Sequence, residues 1–176
     1  LKVNLNVADI VIQAPYNVLF LCSANSSRSI MAERILDQLG AGKFKAYSAG
    51  IYPIGRVNPL AIDELQRREY PTDVLFSKSW LNFAGTDNIA LDFVVYVCES
   101  AAVEPQPKWQ GAPLYVYWNF PSPGAVEGAD SAVRSAFSEV CGQIEACVQR
   151  FLSLSAGLTS RQSIHQAFID ASPVAK

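Results

Sequence analysis

The stretch Asn17–Glu33 reads NVLFLCSANSSRSIMAE, and the fold turns on how it is parsed. Val18, Leu19, Phe20 and Leu21 form an apolar, partly β-branched run that ends at Cys22. A short apolar run bounded by small polar residues is the pattern of a buried strand. Beyond Cys22 come Ser23, Ala24, Asn25, Ser26 and Ser27, then Arg28. Ser29 opens a helical pattern carried by Ile30, Met31, Ile35 and Leu39. The parse is therefore strand, tight loop, helix N-terminus. A loop entering a helix directs unpaired backbone N–H groups, and the positive end of the helix dipole, at one spot. With a thiol at one edge and an arginine fork at the other, that spot suits a tetrahedral oxyanion.

Working outward, Gly40 and Gly42 stop the first helix, and Phe44–Ser48 reads as a short strand closed by Ala49 and Gly50. Asn58 is the expected N-cap of a second helix, with Pro59 at its first position and Leu60, Ala61 and Leu65 at helical spacing to about Arg68. A short helical turn begins at Ser77–Trp80. Leu91–Cys98 (LDFVVYVC) is apolar almost throughout, as in a strand covered on both faces. Leu114–Tyr117 is the last strand, and a Pro/Gly-rich loop runs from Trp118 to Gly128. Ser131 to about Leu154 is the final long helix, with Val133, Phe137, Val140, Ile144, Cys147, Val148 and Phe151 as its apolar stripe. Leu1–Gln13 is β-rich, either an edge strand or an arm.

Strands alternating with helices predict a three-layer α/β/α sandwich around a four-stranded parallel sheet. The expected division is an N-terminal extension (1–16), one domain (17–154) and a weakly patterned C-terminal tail (155–176), read as a surface tail or short helix, with His165 solvent-exposed in it. Ligands in such sheets bind beyond the carboxyl ends of the strands. Cys22, Ser48, Cys98 and the loop after Tyr117 are thus expected on one rim.

Composition narrows the function classes. With 50% hydrophobic and 17% charged residues over 176 positions, the chain is expected to be globular rather than disordered. A net charge of −2 and the lack of any Lys/Arg-rich tract argue against a nucleic-acid surface. No apolar run approaches the roughly 18 residues of a membrane span, and Leu1–Pro15 does not read as a signal peptide. Four scattered cysteines (Cys22, Cys98, Cys141, Cys147) suit reduced thiols in a cytoplasmic protein better than a disulfide scaffold. With one histidine and no CxxC pair, zinc is not expected. Cys141 and Cys147 lie roughly 240° apart around a helix, so both read as packing residues. Core or rim packing is also the expectation for Trp80, Trp109 and Trp118.

Cys22 and Arg28 make a C-x5-R pattern followed by Ser29. That spacing lets the chain wrap once around an oxyanion, with the sulfur beneath it and the guanidinium forking onto its oxygens. The helix N-terminus and Arg28 both favour the thiolate. Ser29 is placed to donate a hydrogen bond to it, and Asn25 is a candidate for positive φ and for bonding the loop backbone. A bare C-x5-R also fits a buried strand-end cysteine beside a solvent arginine. The strand before it, the helix after it and Ser29 favour the anion site.

VLFLCSANSSRSIMAE resembles the signature of the low-molecular-weight protein tyrosine phosphatase superfamily. The blocks YSAG, GRVNPLAIDELQRR, SKSW, LDFVVYVCESAAVEPQP and YWNFPSPGAVEG are similar to its arsenate reductase branch, in unbroken order from Asn17 to Leu152. The resemblance implies that Cys22 is the nucleophile and that Arg28 binds the oxyanion. It also implies that Ser23, Ala24, Asn25, Ser26 and Ser27 supply backbone donors and that Ser29 assists the thiolate. Ser48 and Ser77 match hydroxyls that support the loop. Some relatives hold a potassium ion nearby, but the acidic group expected there is not evident at Ser79, so no metal is predicted.

Two positions depart from the pattern. Family members carry a general-acid aspartate in a Pro-Asp-Pro context, where this chain reads Pro121-Ser122-Pro123. A serine hydroxyl is a poor proton donor, and general acid catalysis typically contributes ~10²–10⁴-fold. Glu127 or Asp130 would substitute only if the loop folds back. The reductases coupled to thioredoxin relay oxidation through two further cysteines. Cys98 matches the first, but Gln106 stands at the second. What remains is attack by Cys22, then a Cys22–Cys98 disulfide or attack by glutathione or another small thiol. Cys98 reads equally as a buried residue ending a core strand.

Three functions follow in order. The first is an arsenate reductase-like enzyme with an external thiol reductant (glutathione/glutaredoxin or thioredoxin) and no bound cofactor. The second is a low-molecular-weight phosphatase weakened by Ser122. The third is a non-catalytic binder of phosphate or arsenate.

Overall fold

The computed structural model describes residues 15–173. The reading of Leu1–Gln13 as an edge strand or arm lies outside the described residues. In chain order the elements are β1 (Tyr16–Cys22), α1 (Arg28–Leu39), β2 (Phe44–Gly50), α2 (Pro59–Arg67) and β3 (Phe93–Tyr96). They continue with α3 (Glu99–Ala102), β4 (Leu114–Tyr117), α4 (Asp130–Leu154) and α5 (Arg161–Asp170). The strands form a four-stranded sheet in the order β2-β1-β3-β4, and every pairing is parallel. The chain is α/β, as the alternation of apolar runs and helical stripes predicts.

Register places the rim. Cys22 pairs with Gly50, Leu21 with Tyr96, and Tyr96 with Tyr117. Residues just past these positions therefore emerge at one carboxyl edge. Side chains alternate between the two faces of the sheet. Phe44 and Phe93 meet Phe151 of α4 and Phe168 of α5 at ring-centroid separations of 5.0 and 5.2 Å on one face. On the other, Tyr47 packs on Phe83 at 5.7 Å, and Tyr96 stacks on Tyr115 and Tyr117.

Capping follows the sequence signals where they exist. The Asn58 side chain accepts from Leu60 N–H and Pro59 takes the first helical position of α2. Ser79 caps a 3₁₀ turn, Trp80–Phe83, in the same way. Trp80, Trp109 and Trp118 are all buried.

Two expectations are corrected, the third strand and His165. The third strand is Phe93–Tyr96 rather than Leu91–Cys98, because Cys98 turns out of the sheet to become the N-cap of α3, a one-turn helix not anticipated. Of the surface tail and the short helix expected beyond Leu154, the short helix is found: α5 buries Ile164, Ala167 and Phe168. Trp118 Nε1 donates to Phe168 O at 2.9 Å, and full burial of such a side chain is worth roughly 1.5–3 kcal/mol. His165 is half-buried rather than solvent-exposed, its Nε2 lying 2.8 Å from Tyr115 O.

Candidate active site

Residues 23–27 cross from β1 to α1 in a loop whose carbonyl groups are tied outward. Ile51 N–H donates to Cys22 O (3.1 Å), Tyr52 N–H to Ser23 O (2.8 Å), Ile54 N–H to Ala24 O (3.2 Å) and Asn58 N–H to Ser26 O (2.8 Å). All peptide bonds here are trans, so each outward carbonyl turns the next N–H to the opposite side. The inward donors converge where the α1 dipole is positive. One of them, Asn25 N–H, meets the Cys22 sulfur at 3.2 Å.

Asn25 is the centre of this arrangement. Its φ of 45° lies in the left-handed region, which asparagine tolerates better than most residues. The side chain is fully buried. Oδ1 accepts from Lys78 N–H at 2.7 Å, which fixes the amide orientation. Nδ2 then donates to Ser29 Oγ and to Ser48 Oγ, both at 2.9 Å. Ser29 Oγ lies 2.9 Å from Cys22 Sγ. Beneath the loop, β2 ends in Gly50, where a Cβ would stand 2.8 Å from Ser23 O and 2.9 Å from Asn25 N. Only glycine admits so close an approach.

Cys98 lies beside the loop. Its sulfur is 3.4 Å from Ser100 Oγ and 3.7 Å from Ser23 Oγ, and the two hydroxyls are themselves 2.6 Å apart. Burial pushes the Cys98 thiol up, but bonds from Ser100, the Ala101 N–H and Ser23, with the Arg28 charge, outweigh it and bring the thiol below its ordinary value. Cys22 and Cys98 are both free thiols. Arg28 Nη1 donates to Phe120 O at 2.9 Å and so ties the first loop to the one after β4.

Behind Ser48 stands a group that the sequence reading missed. Lys78 Nζ lies 3.1 Å from Glu33 Oε2, and Ser48 donates to that same oxygen. A carboxylate on α1 is thus engaged by an ammonium of the chain itself. Burial pushes the Glu33 carboxyl up, against the Lys78 charge and its hydrogen bonds. The available signal was spacing: Glu33 is one helical turn beyond Ser29, on the same face.

Ser122, Glu127 and Asp130 are exposed, and Asp130 opens α4. Gln106 Nε2 donates to Glu104 O at 2.8 Å. Cys141 and Cys147 are buried along α4, and burial pushes each thiol up to about 11. Ser77 donates to Ala24 O at 3.4 Å, as a loop-supporting hydroxyl would.

A cysteine-bearing loop of this build on a parallel sheet defines a class, and known proteins share it. The model of the low molecular weight phosphotyrosine protein phosphatase family matches residues 17–163, and the chain belongs to that family. Within it, the chain is 29% identical over 136 residues to a glutaredoxin arsenate reductase of Synechocystis, covering 77% of this chain and 95% of the relative. It is 32% identical over 137 residues to an arsenate reductase of Shouchella clausii, covering 76% and 93%. The solved structure of an arsenate reductase in the phosphate binding state superposes with a TM-score of 0.60 at 28% identity, covering 78% of this chain and 97% of that one. Among the described residues, no helix is long and apolar enough to cross a membrane.

Proposed function

We propose that this enzyme is an arsenate reductase in which Cys22 is the nucleophile and an external thiol is the final reductant. The observation that carries the reading is the loop itself. Its carbonyls are tied outward, its sulfur accepts from Asn25 N–H, and Ser29 Oγ lies 2.9 Å from that sulfur. Ser23, Ala24, Asn25, Ser26 and Ser27 supply the backbone cradle, and Arg28 closes over the oxyanion.

The Cys22 thiolate attacks the arsenic of dihydrogen arsenate, a sulfur–arsenic bond forms, and one arsenate hydroxyl leaves as water on taking a proton from solvent. A second thiolate then attacks the Cys22 sulfur. The sulfur–sulfur bond forms as the sulfur–arsenic bond breaks, and its electron pair stays on arsenic, which leaves as arsenite. Cys98 suits the second role, because its thiol is held below the ordinary value beside the loop. Gln106 leaves no third thiol to carry the disulfide outward, so glutathione with glutaredoxin, or thioredoxin, reduces it directly. The free cysteines suit a reducing, cytoplasmic compartment.

The deciding measurement is arsenite release with each thiol system supplied, using Cys22→Ser as control. Turnover with one system and its loss in the variant are expected. Phosphate or arsenate binding that depends on Arg28, without turnover under any donor, would make the protein a binder instead.

A further inference from the structure

We propose that Arg56 selects the reductant: it binds a carboxylate of a small anionic thiol, the class to which glutathione belongs, while that thiol attacks the sulfur of Cys22. The inference deepens the proposed function and rests on Cys22 being the reactive thiol.

Arg56 belongs to a segment that is bonded to the anion loop on either side of it. Ile54 N–H donates to Ala24 O at 3.2 Å and Asn58 N–H to Ser26 O at 2.8 Å. Arg56 lies midway between these anchors, just after the turn that Gly55 makes at φ 76°. The segment holds the loop by its carbonyls, whereas the oxyanion is gripped by N–H groups on the opposite side. The backbone at Arg56 therefore stands outside the cradle, and its side chain serves groups that extend beyond the oxyanion. Arg56 is exposed, and its guanidinium has no hydrogen bond or ion pair among the described residues. Of the other described cations, only Lys108 and Arg150 share that state, one ahead of β4 and the other toward the far end of α4. Arg56 is also the only charged residue between Ile51 and Asn58, where Tyr52 and Ile54 are 66% and 55% exposed. Charge recognition on this wall of the mouth falls to Arg56 alone.

An unpaired guanidinium fork matches a carboxylate. The oxyanion already has Arg28 closing over it, so the carboxylate belongs to the reactant that arrives next. A tripeptide thiol carries a carboxylate at each end and spans about 10 Å when extended. One end can rest on the outer wall while its sulfur reaches Cys22. In that step the incoming thiolate attacks the Cys22 sulfur of the Cys22–Cys98 disulfide. A new sulfur–sulfur bond forms, the old one breaks, and Cys98 leaves with the electron pair and takes a proton from solvent. Cys98 suits departure, since its thiol is held below the ordinary value. A second molecule of the same thiol then attacks the mixed disulfide, freeing Cys22 and leaving as the oxidised dimer.

The test uses disulfides of different charge and no arsenic, so it stands apart from the identity of the oxyanion. The reduced full chain, carrying Cys98→Ser so that the mixed disulfide persists, is mixed with excess oxidised glutathione (anionic), hydroxyethyl disulfide (neutral) or cystamine (cationic). Cys22 attacks one sulfur, the other half departs as a thiol, and the adduct on the Cys22 peptide is followed by mass spectrometry. Relative to the neutral probe, Arg56→Gln should lower the glutathione rate about five-fold, the size of an exposed charge contact. Arg56→Glu should lower it further and favour cystamine. Both effects should fade with added salt, because the screening length falls to about 3 Å at 1 M. An unchanged ratio in Arg56→Gln overturns the inference. Equal slowing with all three disulfides overturns it too, because a disturbed loop would then explain the loss. So does a matching fall in phosphate affinity by calorimetry, which would give Arg56 to the oxyanion. If Cys22 in the parent reacts with none of the three, the inference falls together with the reading beneath it; every other adverse result removes the inference alone.

Discussion

Two loops meet at the carboxyl edge of the sheet, residues 23–27 after β1 and residues 118–129 after β4, joined by the bond from Arg28 to Phe120 O. The first is held chiefly through its carbonyls. Its carbonyls are bound by Ile51, Tyr52, Ile54 and Asn58, its turn is fixed by buried Asn25, and Gly50 lies against its underside. The second is anchored by the buried rings of Trp118, Phe120 and Pro123, while Pro121, Ser122 and 124–129 stand in solvent. An anion grip made of main chain tolerates little change, since each altered residue disturbs several bonds. A proton donor carried on an exposed tip can be exchanged at little cost to the fold. In this chain the exposed tip carries Ser122, where the resemblance implies an aspartate.

The largest effect that would break this contrast is a gain at the second loop. Ser122→Asp should raise hydrolysis of an aryl phosphate by roughly 10²–10⁴-fold, the usual contribution of a positioned general acid. Stability should stay within about 0.5 kcal/mol, because the position is exposed and makes no buried bond. Phosphate release by the two proteins, measured side by side, checks it. No gain would mean that the tip does not reach the anion and that Ser122 is not where the acid belongs.

Next comes damage to the first loop. Asn25→Ala places a Cβ-bearing residue at φ 45° and strips bonds from Ser29, Ser48 and Lys78 N–H. Unsatisfied buried groups cost about 1–3 kcal/mol each, with partial recovery by water, so a loss of about 2–4 kcal/mol is expected by denaturant titration. Asn25→Gly removes the backbone strain but not the lost bonds. If it restores stability fully, the side-chain network contributes nothing and the loop is held by main chain alone.

The thiols sharpen the comparison from another side. Below its ordinary value, Cys98 reaches its thiolate at lower pH than a free cysteine, whereas Cys141 and Cys147, pushed up to about 11, remain thiols at neutral pH. Alkylation at Cys98 should exceed that at either helix cysteine by ~100-fold or more, read peptide by peptide. Equal labelling would show that α4 opens as readily as the rim.

The sheet and the grip were legible in the sequence because both are written locally. Val18–Leu21 and Phe93–Tyr96 are apolar runs, and Cys22, Arg28 and Ser29 are set by spacing along a single turn of chain. What escaped notice depends on distant strands coming into register. Lys78 joins Glu33 across 45 positions, and Gly50 matters only because β2 pairs beside Cys22. The packing of helix α5 escaped for a different reason. Its stripe is three residues, and its worth comes from Phe151 and Trp118, which no local pattern reveals.

Ser100 gives the finest test, since it lies two residues beyond Cys98 and touches both sides of the rim. Its hydroxyl is 3.4 Å from the Cys98 sulfur and 2.6 Å from Ser23 Oγ, so it joins α3 to the first loop. It heads the hydrogen bonds that favour the Cys98 thiolate against burial. Ser100→Ala removes that bond and leaves burial less opposed, so the thiol moves up. The sign is then fixed: alkylation of Cys98 slows at pH values below the thiol's own range and converges with the parent above it. The expected deficit is about 10–100-fold at most, since one hydrogen bond to a charged group rarely shifts a titration by more than about one or two units. If Cys98 is the second thiol, arsenite release should fall in parallel while phosphate affinity, which belongs to the first loop, stays put. Slower alkylation with unchanged turnover would instead assign the second attack to the external thiol and leave Cys98 outside the reaction.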